Sequence, residues 1–105
     1  MLRKSLGVCF ALMFALLTGF LSPAGAVGVG KTCAGVAGIP CDAGLWCDLD
    51  AGKCGGTDIS GKCVRIPEVC NKAILPVCGC NKTTYNNDCE RTKAMAQKDH
   101  DGRCH

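Results

Sequence analysis

Four cysteines and two lysines, Lys72 and Lys82, fall within the stretch CNKAILPVCGCNKTTYNNDC, residues 70–89. These residue types support three kinds of chemistry. Cysteine thiolates bind zinc, a cysteine of low pKa exchanges disulfides, and disulfide-bonded cysteines hold a loop in one shape. In the third case the loop would offer Lys72, two residues after Cys70, to another protein. The alternatives are therefore a metal site, a redox centre and a protein-binding loop.

The cysteine spacing argues against the first two alternatives. Zinc sites usually pair cysteines with two to four residues between them and often add histidines at a fixed offset. Most spacings here are wider, whereas Cys78 and Cys80 are separated by a single residue. His100 and His105 stand alone near the end of the chain, as solvated tail residues do, and no C-x-x-C pair is present. The sequence predicts no metal and no cofactor.

The first 26 residues have the pattern of a secretory signal peptide. Arg3 and Lys4 precede an apolar run, residues 6–21, and the small residues 24–26 then offer a cleavage site. A run of about sixteen residues is short for a membrane span, which needs roughly 20. We therefore expect an exported protein, secreted or periplasmic, that has no membrane association after cleavage.

The chain that remains is too poor in large apolar residues to fold on a hydrophobic core alone. It keeps ten of the eleven cysteines but only Trp46 and Tyr85 of the five aromatic residues. Disulfides, which form in the compartments that receive exported proteins, must supply the missing stability. The formal net charge of +3 falls to +1 when the two basic residues of the signal are lost. This gives no support for nucleic acid as a partner, and we expect a monomer.

Two halves follow the signal. Residues 27–32 read as a flexible lead, and residues 33–54 as a cysteine-rich module of turns and short β-ribbons, because glycines and Pro40 recur every few positions. Residues 55–62 read as a linker. The acids of this half lack the order of a calcium loop and are interpreted as solvated turn carboxylates: Asp42, Asp48 and Asp50.

The second half, residues 63–105, must position Lys72. Residues 77–85 suggest a small hairpin, and NNDCERTKAMAQK, residues 86–98, is rich in good helix formers. Asn87 can cap the start of this helix, and Glu90 can reach back in a variant of the capping box. We expect residues 99–102 to end the helix and to return the chain to Cys104.

The spacing in this half resembles that of the Kazal-type serine protease inhibitors. Seven residues separate Cys70 from Cys78, ten separate Cys78 from Cys89, and PVCG and TYNNDC are close to the family signature. The resemblance implies a small disulfide-rich α+β fold, in which a short three-stranded antiparallel sheet packs against one helix. The four cysteines of residues 33–54 resemble an EGF-like or follistatin-like module, and the whole resembles small exported bacterial proteins with a Kazal-like domain.

The resemblance also implies roles for individual residues. Lys72 would be the primary specificity residue, and the Lys72–Ala73 peptide bond the reactive site. Three further residues would complete the contact loop: Asn71, Ile74 and Leu75. Asn87 would hydrogen-bond to the loop backbone, and Tyr85 would pack beneath the loop.

A disulfide pattern follows from the same resemblance. The family usually has a cysteine where Thr92 stands, and Cys80 would compensate for it. The implied pairs are Cys63–Cys80, Cys70–Cys89 and Cys78–Cys104, with Cys33–Cys47 and Cys41–Cys54 in the follistatin-like half. Six cysteines allow fifteen pairings, so spacing alone does not select this one.

The function expected from the resemblance is substrate-like inhibition of a trypsin-like serine protease. The alternative is a non-inhibitory extracellular protein-binding module of follistatin type, to which the additional N-terminal half is suited. We expect no enzymatic activity, because the sequence offers no serine–histidine–acid set.

Overall fold

The computed structural model describes residues 25–105. The predicted signal peptide therefore lies almost entirely outside the described residues. The described chain is a small disulfide-rich α+β fold with two three-stranded antiparallel sheets and one short helix. Its elements in chain order are β1 Thr32–Ala34, β2 Leu45–Leu49, β3 Ser60–Arg65, β4 Val77–Gly79, β5 Thr84–Tyr85, α1 Asp88–Lys93 and β6 Lys98–Asp101. In this part of the chain no helix has the length and apolar character needed to span a membrane.

The N-terminal sheet has the strand order β1-β3-β2, so β3 is central. Cys33 and Cys63 are fully buried in it, and disulfide sulfur takes the place that large apolar side chains have in larger cores. Gly61 of β3 lies opposite Leu49 of β2. A Cβ atom at Gly61 would overlap the backbone carbonyl of Asp48 and would lie 2.7 Å from the Cα of Leu49, so this position needs a glycine.

The structure differs from two of the predicted boundaries. The segment expected to be a flexible lead, residues 27–32, is hydrogen-bonded to the module: the Val27 amide donates to the Pro40 carbonyl (3.0 Å) and the Gly30 amide to the Cys63 carbonyl (2.8 Å). The expected linker, residues 55–62, contains the first part of β3. Because β3 provides the middle strand of the N-terminal sheet, Cys63 lies in that sheet and does not begin the second half.

The C-terminal sheet has the strand order β5-β4-β6, and all three residues of β4 are buried. Strands β4 and β5 form the hairpin predicted for residues 77–85. The helix begins after Asn87 as predicted but ends at Lys93, earlier than the helix-favouring residues 94–98 indicate. Met95 adopts a positive φ of 52° and the following segment becomes β6, because pairing with β4 outweighs local helix propensity.

Five disulfides close the fold, and three of them are predicted pairs: Cys33–Cys47, Cys70–Cys89 and Cys78–Cys104. The other two predicted pairs, Cys41–Cys54 and Cys63–Cys80, are wrong, and the structure joins Cys41 to Cys63 and Cys54 to Cys80. The reason is the position of β3, which carries Cys63 into the N-terminal sheet beside Cys41. Cys54 and Cys80 are then left to each other, and their bond links the two halves covalently.

Hydrogen bonds from Gln97 add to this link. Its side-chain carbonyl accepts from the Leu49 amide (2.8 Å), and its side-chain amide donates to the Cys47 carbonyl (3.0 Å). Gln97 thus pairs with the backbone of β2 as a neighbouring strand residue would. The Gly52 amide also donates to the Lys98 carbonyl (3.0 Å). The two halves are therefore joined at several points, which is more than a linker between independent modules would provide.

Candidate protein-binding loop

The segment between Cys70 and β4 is an exposed loop without regular secondary structure. Its side chains from Asn71 to Leu75 are all exposed, including two large apolar ones, Ile74 at 63% and Leu75 at 71%. Lys72 makes no ion pair with any residue of the described range 25–105. One end of the loop is fixed by the Cys70–Cys89 disulfide, and the other runs through Pro76 into the buried strand β4.

The side chains of the loop alternate between two faces. Lys72 and Ile74 line a groove on one side, whereas Ala73 and Leu75 line a groove on the other. Alternation with a period of two is the mark of an extended backbone. The loop therefore presents Lys72 in an extended segment. A partner protein can contact both the side chains and the backbone of such a segment.

Asn87 holds this loop at the two peptide groups on either side of the Lys72–Ala73 bond. Its side chain is almost completely buried (5% exposed), and its amide nitrogen Nδ2 donates to the Asn71 carbonyl (3.2 Å) and to the Ala73 carbonyl (2.9 Å). The oxygen Oδ1 of the same side chain accepts from the Glu90 amide (2.9 Å) and caps α1. One buried side chain therefore connects the helix to both sides of the Lys72–Ala73 bond.

Two further hydrogen bonds fix the loop backbone. The Ala73 amide donates to the side-chain carbonyl of Asn71 (3.1 Å), a local turn of the kind that asparagine forms readily. The Leu75 amide donates to the Asn86 carbonyl (2.8 Å). Because the backbone is held before and after Lys72, the extended shape of the loop exists before any partner binds.

Arg91 anchors the helix that carries Asn87. It is the most buried charged residue of the described range, with 1% of the whole residue exposed. Its guanidinium donates to both carboxylate oxygens of Asp48 (3.1 and 3.0 Å), to one oxygen of Asp88 (2.8 Å) and to the Ala96 carbonyl (2.7 Å). A paired guanidinium with a fixed fork of donors is the form in which a buried positive charge is tolerated.

The pKa values of this cluster reflect the pairing. The hydrogen bond from Arg91 lowers the pKa of Asp88 below its ordinary value, although partial burial acts in the opposite direction. Desolvation alone would lower the pKa of Arg91, but its hydrogen bonds to Asp48 and Asp88 outweigh this effect and raise the pKa. The pairing with Arg91 therefore favours the ionised form of Asp88.

Tyr85 contacts the hairpin formed by β4 and β5. Its hydroxyl accepts a hydrogen bond from the Asn81 side chain (2.7 Å), in the turn between β4 and β5. A Cβ atom at Gly79 would lie 3.0 Å from its ring, so the ring packs across the hairpin. Tyr85 is linked to the loop through Val77, its partner in the strand register. Its hydroxyl thus supports the hairpin turn, and the side chain that holds the loop directly is Asn87.

Sequence reasoning missed Asp48, Arg91 and Gln97. Asp48 was expected to be a solvated turn carboxylate, but it lies in the middle of a strand and pairs with Arg91. The sequence contains no local signal for this pair, because 43 positions separate its members. A buried arginine in a short helix becomes apparent only when the neighbouring sheet is in place.

The ten cysteines of the described residues are all engaged in disulfides. Sulfur atoms do lie close to other potential ligands, as in the cluster of Cys78, Asp99 and His100. Cys78 is bonded to Cys104, however, and offers no thiolate in this state. Five disulfides in so short a chain indicate a protein that folds in an oxidising environment, extracellular or periplasmic.

Neither a protein-family model nor a curated protein matches the sequence. The function of the chain is therefore inferred from the loop that presents Lys72 and from the residues that hold this loop.

Proposed function

We propose that the protein is a substrate-like inhibitor of trypsin-like serine proteases that presents the Lys72–Ala73 bond to the protease. The observation that carries the proposal is the bridge made by the buried Asn87 side chain to the Asn71 and Ala73 carbonyls. It fixes the backbone on both sides of an exposed lysine in an otherwise extended loop. The proposal agrees with the Kazal-type resemblance of residues 63–105.

A fixed extended loop favours tight binding. A flexible peptide loses conformational entropy when a protease orders it in the active site, whereas a loop that is already ordered loses little. Exposed side chains on both faces then add contact area, notably Ile74 and Leu75 after the bond and Val69 before it (85% exposed). These apolar groups leave water when the protease binds.

The hydrogen bonds that hold the loop also oppose net hydrolysis of the Lys72–Ala73 bond. When the protease cleaves the bond, its serine forms an acyl-enzyme with the Lys72 carbonyl and the amine of Ala73 is released. Asn87 and the Leu75–Asn86 hydrogen bond hold this amine near the acyl group. The amine can then attack the acyl-enzyme and re-form the peptide bond before water enters. A proximity of this kind is worth several orders of magnitude in rate.

Lys72 gives the selectivity in this proposal. Its ammonium group is free of ion pairs among residues 25–105 and can enter a specificity pocket with a carboxylate at its base. Replacing it by Leu is expected to move the preference toward proteases with an apolar pocket. Replacing it by Glu is expected to abolish trypsin binding, because two carboxylates would meet.

The test is a titration of the oxidised protein against trypsin, with residual activity measured on a chromogenic substrate. Near-stoichiometric loss of activity supports the proposal. The matched control for Lys72→Glu is Lys53→Glu, which makes the same charge change at an exposed lysine of the N-terminal half. Trypsin inhibition that survives in Lys72→Glu would refute the role of Lys72.

A second candidate function is a non-inhibitory protein-binding module of follistatin type. It is favoured by exposed apolar side chains in the N-terminal half, Val29 (51%) and Val36 (89%), which the protease-binding proposal does not use. The same titration separates the two functions. Cleavage after Lys72 without inhibition would support the module and contradict the inhibitor.

A further inference from the structure

We infer that the ion pair between Arg91 and Asp48 lets the N-terminal half position the Lys72 loop, an inference that rests on the proposed function. A connected set of contacts carries it. Asp48 lies on β2, Arg91 lies on α1, and α1 begins at Asn87, the side chain that holds the loop. The two halves of the chain thus form one support for one binding loop.

The first step runs from β2 to the helix. Arg91 forms a two-pronged contact with Asp48, in which NH1 and NH2 each donate to a different carboxylate oxygen. Such a fork fixes orientation as well as distance, because the guanidinium is planar. The contact is largely shielded from water, since the Arg91 side chain is 2% exposed and that of Asp48 is 21% exposed.

The second step runs through the helix to the loop. The helix has only six residues, so contacts that hold Arg91 in place also hold the N-cap residue Asn87 in place. The Arg91 amide donates to the backbone carbonyl of Asn87 (3.2 Å), one turn earlier. Asn87 then donates to the carbonyls on either side of Lys72. A six-residue helix is not stable by itself, which is why an external anchor matters here.

The consequence of removing Asp48 can be followed along the same route. Arg91 would keep Asp88, whose side chain is 56% exposed, and the Ala96 carbonyl. In Asp48→Asn one of the two bonds to β2 and the negative charge would be lost, because an amide keeps a single acceptor oxygen, and a buried charge would be left with incomplete compensation. The helix can relieve this by shifting toward water, and such a shift draws Asn87 away from the loop.

The experiment measures backbone hydrogen exchange by NMR in the intact, fully oxidised protein. The loop reporter is the Leu75 amide, which is bonded to the Asn86 carbonyl, and the helix reporter is the Glu90 amide, which is bonded to Asn87. The Cys63 amide, bonded to the Lys31 carbonyl, reports on the N-terminal sheet. We expect Asp48→Asn to speed exchange at the loop and helix reporters at least about tenfold, equivalent to about 1.4 kcal/mol. Exchange at Cys63 should not change.

The matched control is Asp50→Asn, which removes the same charge two residues away at an exposed side chain with no ion pair among residues 25–105. It should leave all three reporters unchanged. Arg91→Lys is the second test variant, because it keeps the charge but loses the two-pronged geometry, and it should speed the same two reporters. Peptide mapping establishes whether each variant forms all five disulfides. A test variant that forms all five is sufficient to test the positioning role of the ion pair.

Unchanged exchange at Leu75 and Glu90 in the test variants would overturn the inference. An equal acceleration at all three reporters would also overturn it, because that result indicates a general loss of stability. The inhibition titration of the unaltered protein is independent of these measurements. A protein that fails to inhibit trypsin but shows the local acceleration would refute the proposed function alone, and the reverse combination would refute only the positioning role.

Discussion

Replacing Asn87 by Asp separates the two tasks of this side chain. The substitution keeps a side-chain oxygen to accept from the Glu90 amide, and aspartate caps helices about as well as asparagine does. It removes both Nδ2 donors and directs a carboxylate toward the Asn71 and Ala73 carbonyls. The helix should therefore keep its cap while the loop loses its support.

The expected magnitude follows from the two lost hydrogen bonds. Each contributes about 0.5–1.5 kcal/mol net, which gives about 1–3 kcal/mol for the pair. If the loop must be held in this shape to bind, the dissociation constant for trypsin should rise roughly 5- to 150-fold. Repulsion between the carboxylate and the two carbonyl oxygens places the expected value toward the upper end. The Lys72–Ala73 bond should also be cleaved faster, because the released amine is no longer held.

The assay combines the inhibition constant with the free energy of unfolding. Steady-state inhibition of trypsin gives the first, and denaturant unfolding of the oxidised protein gives the second. Asn87→Ala is the companion variant, since it removes the cap as well as the donors. It should lose a further 0.5–2 kcal/mol or so of unfolding free energy relative to Asn87→Asp.

An inhibition constant for Asn87→Asp equal to that of the unaltered protein would refute the reasoning. It would mean that the disulfide, Pro76 and the remaining hydrogen bonds hold the loop without Asn87. A weaker inhibition accompanied by a loss of unfolding free energy well above the value of about 1–3 kcal/mol for the two hydrogen bonds would refute it in another way, because the effect would then be global.

Three further predictions concern the framework. Replacing Cys54 and Cys80 together by Ser opens a link with a sequence separation of 26 and should cost about 3 kcal/mol in denaturant unfolding, whereas a loss near zero would show that the halves are held by other contacts. The lowered pKa of Asp88 contributes stability that is present above its unfolded pKa, near 3.8, and is lost as the pH falls through the lower folded pKa. Unfolding free energy measured against pH should show this acid loss, and the loss should be smaller in Asp88→Asn. Gly61→Ala should lower the melting temperature through its overlap with the Asp48 backbone, by an amount equivalent to about 1–3 kcal/mol, and an unchanged melting temperature would contradict the strand packing.

Local signals in the sequence were sufficient to predict those features of the loop site whose residues are close together in the chain. The cap at Asn87 depends on residues one helical turn apart, and the β4–β5 hairpin depends on a short segment between two strands. The Cys70–Cys89 bond lies within the same stretch. Each of these three features depends on residues that are near each other in the sequence, and the structure contains all three.

The features that the sequence did not predict depend on contacts between segments that are distant in the chain. The end of the helix at Lys93 is set by strand β6, which pairs with β4 and not with its own sequence neighbours. The assignment of Cys63 depends on β3 being the middle strand of the first sheet. Propensity and cysteine spacing are local quantities, and they do not report which strand occupies the centre of a sheet.

The bond of Cys80 to Cys54 has a structural explanation in these contacts. A cysteine at Thr92, the position that the Kazal-type pattern favours, would tie the helix within the C-terminal half. In this chain Cys80 bonds to Cys54 instead, and Arg91, next to Thr92, bonds to Asp48. The Cys54–Cys80 disulfide and the Arg91–Asp48 ion pair therefore both connect the C-terminal half to the N-terminal half. Residues 63–105 alone would leave Cys63 and Cys80 without their partners and Arg91 without its main counter-charge, so the unit that holds the Lys72 loop is the whole described chain.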